Sequence, residues 1–407
     1  MKQALLSLIF LLLSAAAFSQ EGKTQIDKEV NSVSNKLKIS GYVQTQYQYG
    51  EKNASLKLGG NNENKEEAFN RIGIRRGRLK FVYDEGIASG VFQIDLTEKG
   101  LFLKDAYLNV KDPWLKSNAL RVGVFDRPFG SEISYSSSRR ESPERSTIFQ
   151  TLFPNERDMG AMLHLQADKK SVWNFLTLQA GLFSGNAINK DVDNRKDFIG
   201  HLWGRKKWKL IEFGAGVSYY NGAVYQATGN VCSMKGKSFV VDDRTRNKGD
   251  FAKREYFGTD LQFAINTSLG ATSLRAEYLF GQQPGTAESS KSPDSPSLPS
   301  GDTYLRDFSG AYAMLVQDIG TLPFAAVLKY DIYDPNTKLR GNEVGEENTT
   351  ITDLMQHTLG FGVLWHIIPT LRLTAYYDVN RYEKTASLPD ANDLKRDVFT
   401  LRLQYKF

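Results

Sequence analysis

Three cations stand at alternate positions of one stretch of this sequence: Arg76, Arg78 and Lys80, with Leu79, Phe81 and Tyr83 at the positions between and beyond them. In an extended backbone that spacing puts the charged groups on one side and the apolar groups on the other. A row of fixed cations is chemistry for attracting and passing anions. Arginine adds a planar donor fork that matches carboxylate and phosphate oxygens. Arg121 lies opposite Leu120, Val122 and Val124, and Arg275, Lys329, Arg372, Arg402 and Lys406 fall on the polar sides of their own alternating stretches. Asp95, Asp105, Glu277 and Asp331 share polar sides too, so some of these cations are expected to be paired. The run Arg76, Arg78, Lys80 is the set expected to resist local neutralisation.

Other chemistries find less support. His164, His201, His357 and His366 are scattered, and no His-Glu-x-x-His or paired-Cys spacing suggests a metal. Ser136 to Ser138 lack the Gly-x-Ser-x-Gly turn of a nucleophile. No enzyme, cofactor or metal is therefore expected. The single Cys232 rules out an internal disulfide. The net charge of +6 is modest, and the basic residues follow strand parity rather than a nucleic-acid-binding signature, so no nucleic-acid partner is expected.

The elements that would position these residues are strands. In the final run, Phe399, Leu401, Leu403, Tyr405 and Phe407 share one face, and Thr400, Arg402, Gln404 and Lys406 the other, with Val398 out of pattern. The run resembles the terminal strand of bacterial outer-membrane barrels, which implies that the assembly machinery reads Phe407. The same period-two rhythm recurs near 37–50, 70–84, 86–98, 101–111, 118–126, 158–168, 171–184, 197–206, 209–226, 254–268, 271–283, 303–317, 322–333, 354–366, 369–382 and 397–407. Each segment is about ten residues, enough for a tilted strand to cross a bilayer. From the third hairpin onward brief links such as Leu269-Gly270 alternate with extended ones such as 127–157 and 225–253. The expected fold is all-β: an antiparallel transmembrane barrel of about 16 strands with short periplasmic turns and long extracellular loops. With 19 Tyr, 24 Phe and a negative mean hydropathy, the composition suits strands that are apolar on one side only.

Residues 1–19 read as a cleaved secretory signal: Lys2, an apolar run from Ala4 to Phe18, then Ala17 and Ser19 before the cut. A short polar segment, 20–36, precedes the barrel domain, 37–407. This layout implies outer membrane lipid of a Gram-negative bacterium as the surroundings.

About sixteen strands enclose a lumen wide enough for water, so the polar faces are expected to line an anion pathway of Arg76, Arg78, Lys80, Arg121, Arg275, Lys329, Arg372 and Arg402. The 127–157 stretch combines charge with Phe, Pro and Leu, which points to a packed loop. Arg71 and Arg75-Arg76-Gly77-Arg78, then Lys104-Asp105-Ala106-Tyr107-Leu108, Gly123-Val124-Phe125-Asp126-Arg127-Pro128-Phe129-Gly130, Glu144-Arg145-Ser146 and Arg157-Asp158-Met159-Gly160 resemble the phosphate-selective porin O/P family over roughly residues 70–165. The resemblance implies a homotrimeric porin whose third extracellular loop folds inward. Its constriction residues would be Arg127, Phe129, Glu132, Arg139, Arg140, Arg145 and Arg157. The expected activity is passive diffusion of small anions, with phosphate and polyphosphate as candidates. The competing expectation is a surface-binding barrel, receptor or adhesin, with little channel activity.

Overall fold

The computed structural model describes residues 36–407. The expected signal peptide and the segment 20–35 lie outside the described residues. The barrel wall begins with β1 (Leu37–Gly50), β2 (Phe69–Asp84), β3 (Ala88–Thr97), β4 (Gly100–Lys111), β5 (Ala119–Asp126), β6 (Arg157–Gln166), β7 (Leu176–Phe183), β8 (Asp197–Lys207) and β9 (Ile211–Tyr225). A hairpin, β10 (Val231–Lys235) and β11 (Ser238–Asp242), sits in the next loop. The wall resumes with β12 (Phe251–Thr267), β13 (Gly270–Gly285), β14 (Thr303–Asp318), β15 (Phe324–Asp334), β16 (Gln356–Ile368), β17 (Leu371–Tyr382) and β18 (Val398–Lys406). Leaving the loop hairpin aside, this is a closed antiparallel barrel of 16 strands, because β1 pairs with both β2 and β18 and β9 pairs with β12. Closure satisfies every strand edge within the wall.

Every expected strand is present. The hairpin β10–β11 was not expected, and the strand expected at 171–184 starts only at Leu176. Its first residues form a turn instead. Ser171 N–H donates to Asp168 O (2.8 Å), and the Asn174 amide donates to Ala167 O (2.7 Å). These local bonds compete with the ladder.

Links on one rim are short (85–87, 208–210, 268–269, 369–370), and those on the other are mostly long (51–68, 127–156, 226–250, 286–302, 335–355). The link 98–99 is the exception on the long-loop rim. Outward residues alternate as expected: Leu401 and Leu403 are 37% and 42% exposed, while Arg402 between them is buried. On β9 the outward row runs from Ile211 to Tyr219. That is roughly 27 Å along the strand and about 21 Å along a barrel axis at the usual tilt, close to the apolar band of such walls. Aromatic rings mark both ends of the band. Phe198, Tyr219, Phe257 and Phe280 touch in sequence across β8, β9, β12 and β13, with ring centroids 5.1–6.4 Å apart. Trp114, Trp173 and Trp208 stand exposed on the short-turn rim. This is the surface a wall standing in lipid requires.

Of three register shifts in the wall, two are β-bulges that re-aim charged side chains. Between β1 and β2 the register runs Gln44 to Arg76 and then Thr45 to Ile74, so Arg75 is the extra residue. Between β3 and β4 it runs Gln93 to Asp105 and then Ile94 to Leu103, so Lys104 is extra. A bulge lets two neighbours on one strand share a side, and Arg75 and Arg76 both reach the interior.

Candidate functional site

The interior is divided by the 127–156 loop, which crosses it and carries the one-and-a-half-turn helix α1 (Thr147–Leu152). On one side the contact is apolar. Phe129, Ile133, Ile148, Phe149, Leu152 and Phe153 of the loop are buried with Tyr220, Tyr256, Leu279, Phe308 and Tyr312 of the wall. Phe153 lies 5.7 Å from the Tyr256 ring and Phe149 lies 6.3 Å from Tyr312, both edge-on, a favoured aromatic geometry. Wall carboxylates hold the loop backbone. Glu277 accepts from Ser131 N–H (3.1 Å), Ser131 Oγ (2.8 Å) and Glu132 N–H (2.6 Å), and Asp331 accepts from Thr147 N–H (2.9 Å). Gly130 permits this approach: it sits at φ +62°, and a Cβ there would stand 2.0 Å from a Glu277 carboxylate oxygen.

The 286–302 loop also turns inward and rests on α1, with Ser292 N–H donating to Thr151 O (3.0 Å). Arg254 and Arg306, both buried on the wall, clasp it. Arg254 donates to Ser292 Oγ (2.7 Å) and pairs with Asp197. Arg306 donates to Thr286 O (2.7 Å) and pairs with Asp353 (2.8 Å). The expectation that inward faces are polar throughout therefore fails on β12 to β15, where Tyr256, Leu279, Phe308, Met314 and Val327 face inward. The loop supplies apolar partners, so these residues are buried rather than wet.

On the opposite side, β1, β2, β17 and β18 present Gln44, Arg75, Arg76, Arg372, Arg402 and Gln404 to the same loop. Glu144 gathers three guanidiniums. Arg75 donates through Nε and Nη2, both at 2.8 Å, and Arg76 and Arg402 donate at 3.1 Å each. Burial alone would raise the Glu144 pKa, but Arg75, Arg76 and Arg402 override it and hold the carboxyl well below its usual range. Arg402 also donates to Gln46 (2.7 Å) and Pro143 O (2.9 Å), and Arg372 donates to the carbonyls of Arg139 (3.3 Å) and Arg140 (2.9 Å). Back on the first side, Lys329 of β15 meets Glu132 (3.5 Å), and Arg275 of β13 pairs with Glu141.

The run Arg76, Arg78, Lys80 does not resist neutralisation as expected. Arg76 is paired with Glu144, and Arg78 with Asp95 at 3.2 Å. Those partners come from a distant loop and from the neighbouring strand, positions that parity along β2 does not reveal. Among the described residues Lys80 has no carboxylate within 4.0 Å. Arg121 faces inward but stacks on Tyr107 (4.6 Å to the centroid) and Phe125 (5.5 Å), away from the arginine group.

Within the loop the expected constriction residues divide. Arg127 pairs with Asp158 (3.3 Å), Arg157 with Asp105 and Asp126 (3.0 Å each), and Phe129 is core. Arg145 pairs with Glu156 and donates to Glu132 O (3.0 Å) and Ile133 O (2.9 Å). Arg139 is exposed. Arg140 is buried, and none of its guanidinium nitrogens has a hydrogen-bond partner among the described residues. Burial, then Arg145 and Arg76, work against its charge.

Two cavities flank the loop. One of about 570 Å³ opens toward the long-loop rim and is lined by Lys57, Glu144, Arg145, Lys329 and Asp378, among others. The other, of about 210 Å³ and toward the short-turn rim, is lined by Tyr42, Arg78, Lys80, Ser137 and Lys406. Arg145 borders both. The sequence reading missed Arg75 and Glu144. The first left a signal: the outward set moves from even positions (Ile72, Ile74) to odd ones (Leu79, Phe81) within β2, which requires an inserted residue.

Solved structures share this architecture. The anion-selective porin from Comamonas acidovorans matches 91% of this chain and 99% of its own at TM-score 0.53 and 11% identity. Pseudomonas putida OprB, in a high-pH structure, matches 96% and 100% at TM-score 0.58 and 10% identity. Vibrio cholerae OmpT, an outer membrane protein in its trimer form, matches 91% and 99% at TM-score 0.52 and 11% identity. At such identities the likeness is one of fold. No family model matches the chain and no curated protein matches it in sequence, so the resemblance to phosphate-selective porins O/P rests on its motifs alone.

Proposed function

We propose that the protein is an outer-membrane porin of a Gram-negative bacterium through which small anions diffuse passively, phosphate and polyphosphate being the leading candidates. One observation carries the reading: Arg75, Arg76, Arg78, Lys80, Arg372 and Arg402 converge on one sector of the interior, between the two cavities. Fixed cations in a narrow wet passage favour anions over cations. The 127–156 loop is the constriction. Anions enter from the long-loop rim, shed part of their hydration beside Glu144 and Arg145, and move past Arg76 and Arg78 to Lys80. The aromatic belts favour a place in lipid, and the trimer form of the V. cholerae protein favours a homotrimer here. Residues 1–19 would be removed on export. Phe407, exposed on the outward face, is where the barrel assembly machinery would bind.

Reversal potentials in a planar bilayer across a potassium chloride gradient test the reading. Chloride preference, with chloride current reduced by added phosphate, is the expected result. Replacing Arg76, Arg78 and Lys80 together by Gln should weaken the preference. Cation preference would overturn the proposal. So would near-zero conductance, which would mark a surface-binding barrel whose loops plug it.

A further inference from the structure

The acids of the 127–156 loop are used unequally. Glu132 accepts from Ser146 Oγ (2.6 Å) and meets Lys329, Glu141 meets Arg275, and Glu156 meets Arg145 and Arg157. Glu144 takes three guanidiniums from two adjoining regions of the wall, Arg75 and Arg76 of β2 and Arg402 of β18. Three positive charges meet one negative charge there. Arg140, four residues earlier in the loop, adds a buried cation with no hydrogen-bond partner among the described residues. The Glu144 side chain is still 18% exposed and lies on the wall of the larger cavity, and the Arg75 side chain beside it is 22% exposed, so the cluster is open to the cavity at these two residues.

We propose that Glu144 is a tethered stand-in for the permeating anion: it occupies the Arg75–Arg76–Arg402 cluster between passages, and each small anion must displace it. This rests on the anion-channel reading. A carboxylate offers guanidinium forks the same kind of acceptors as a free oxyanion. Carried on a loop, it competes at an effective concentration of about a millimolar or more. Conduction needs a site that draws ions in yet releases them. The cluster alone would bind tightly, and Glu144 weakens it to the point of exchange.

The test uses the full-length channel in a planar bilayer, with sulfate as the probe and the sulfate concentration that halves the chloride current as the readout. E144Q should lower that concentration by about tenfold, since a tethered competitor is removed. D378N removes a carboxylate that lines the same cavity and, among the described residues, pairs with no arginine. It should shift the half-block by less than about twofold, the size of a general field effect. E144D, which draws the charge back by one methylene, should fall between wild type and E144Q, and it decides the matter should E144Q fail to insert. Equal shifts in E144Q and D378N would overturn the proposal. An unmoved half-block in E144Q or E144D would do so too, leaving Glu144 as a loop latch only. If the unmodified channel shows no anion preference, the channel reading falls and this proposal falls with it. An anion-selective wild type with an unmoved half-block removes this proposal alone.

Discussion

On the β12 to β15 side of the interior, the 127–156 loop meets the wall through Phe129, Phe149 and Phe153 against Tyr256, Phe308 and Tyr312. On the β2 and β18 side the same loop meets Arg75, Arg76 and Arg402 through Glu144. The first contact is mainly buried apolar surface, which salt weakens little, with the Arg275 and Lys329 ion pairs added to it. The second is ionic and borders a cavity, so it is the contact that dissolved salt screens. One loop thus has a fixed edge and a working edge. A loop acting as the proposed constriction would need both, because one held only by ion pairs would drift with salt, and one sealed all round would pass nothing.

The comparison breaks most readily at the fixed edge. Replacing Phe149 and Phe153 by Ala should cost roughly 3–5 kcal/mol each in lost burial and cavity formation. The loop should then come away while the barrel stays closed. Trypsin would cleave at Arg139 or Arg140 in the variant and spare the parent. Continued protection would show that the ionic edge holds the loop unaided. Gly130→Ala comes next. It forces a side chain into a left-handed backbone and into the Glu277 carboxylate, at an expected cost of about 1–3 kcal/mol. Urea unfolding in detergent should show a lower midpoint, with single-channel noise rising. An unchanged midpoint would mean that the Glu277 clasp is dispensable. The smallest effect is expected at Arg121, which parity places with the anion pathway but which stacks on Tyr107 and Phe125. Arg121→Gln should lose about 0.5–1 kcal/mol of cation–π contact and leave the reversal potential in place. A marked fall in anion preference would move the working edge to include β5.

How much of this was legible in the sequence differs between wall and loop. The strands, the outward apolar rows and the inward placement of Arg78, Lys80, Arg275, Lys329, Arg372 and Arg402 follow from alternation. The turn at Ser171–Phe175 and the hairpin β10–β11 did not, since local side-chain bonds and loop pairing override periodicity. The phenylalanines of the 127–156 loop indicated packing but not against which strands. For the proposed anion pathway, residue type and face were readable while pairing was not, so Arg76 and Arg78 read as unneutralised when each has a carboxylate partner.

The primary sequence alone determined which side of each strand faces out, because that depends on residue type at a spacing of two, a local property of an extended chain. Even the bulge at Arg75 was written there, as a change of parity between Ile74 and Leu79. Only the tertiary structure decided which cations are matched and which are left over. Glu144 and Arg402 are 258 residues apart, and barrel closure brings β18 and β2 to either side of β1, within reach of one loop carboxylate. Coulombic pairing depends on distance in space, and closing a ring sets those distances without leaving a mark in the local pattern.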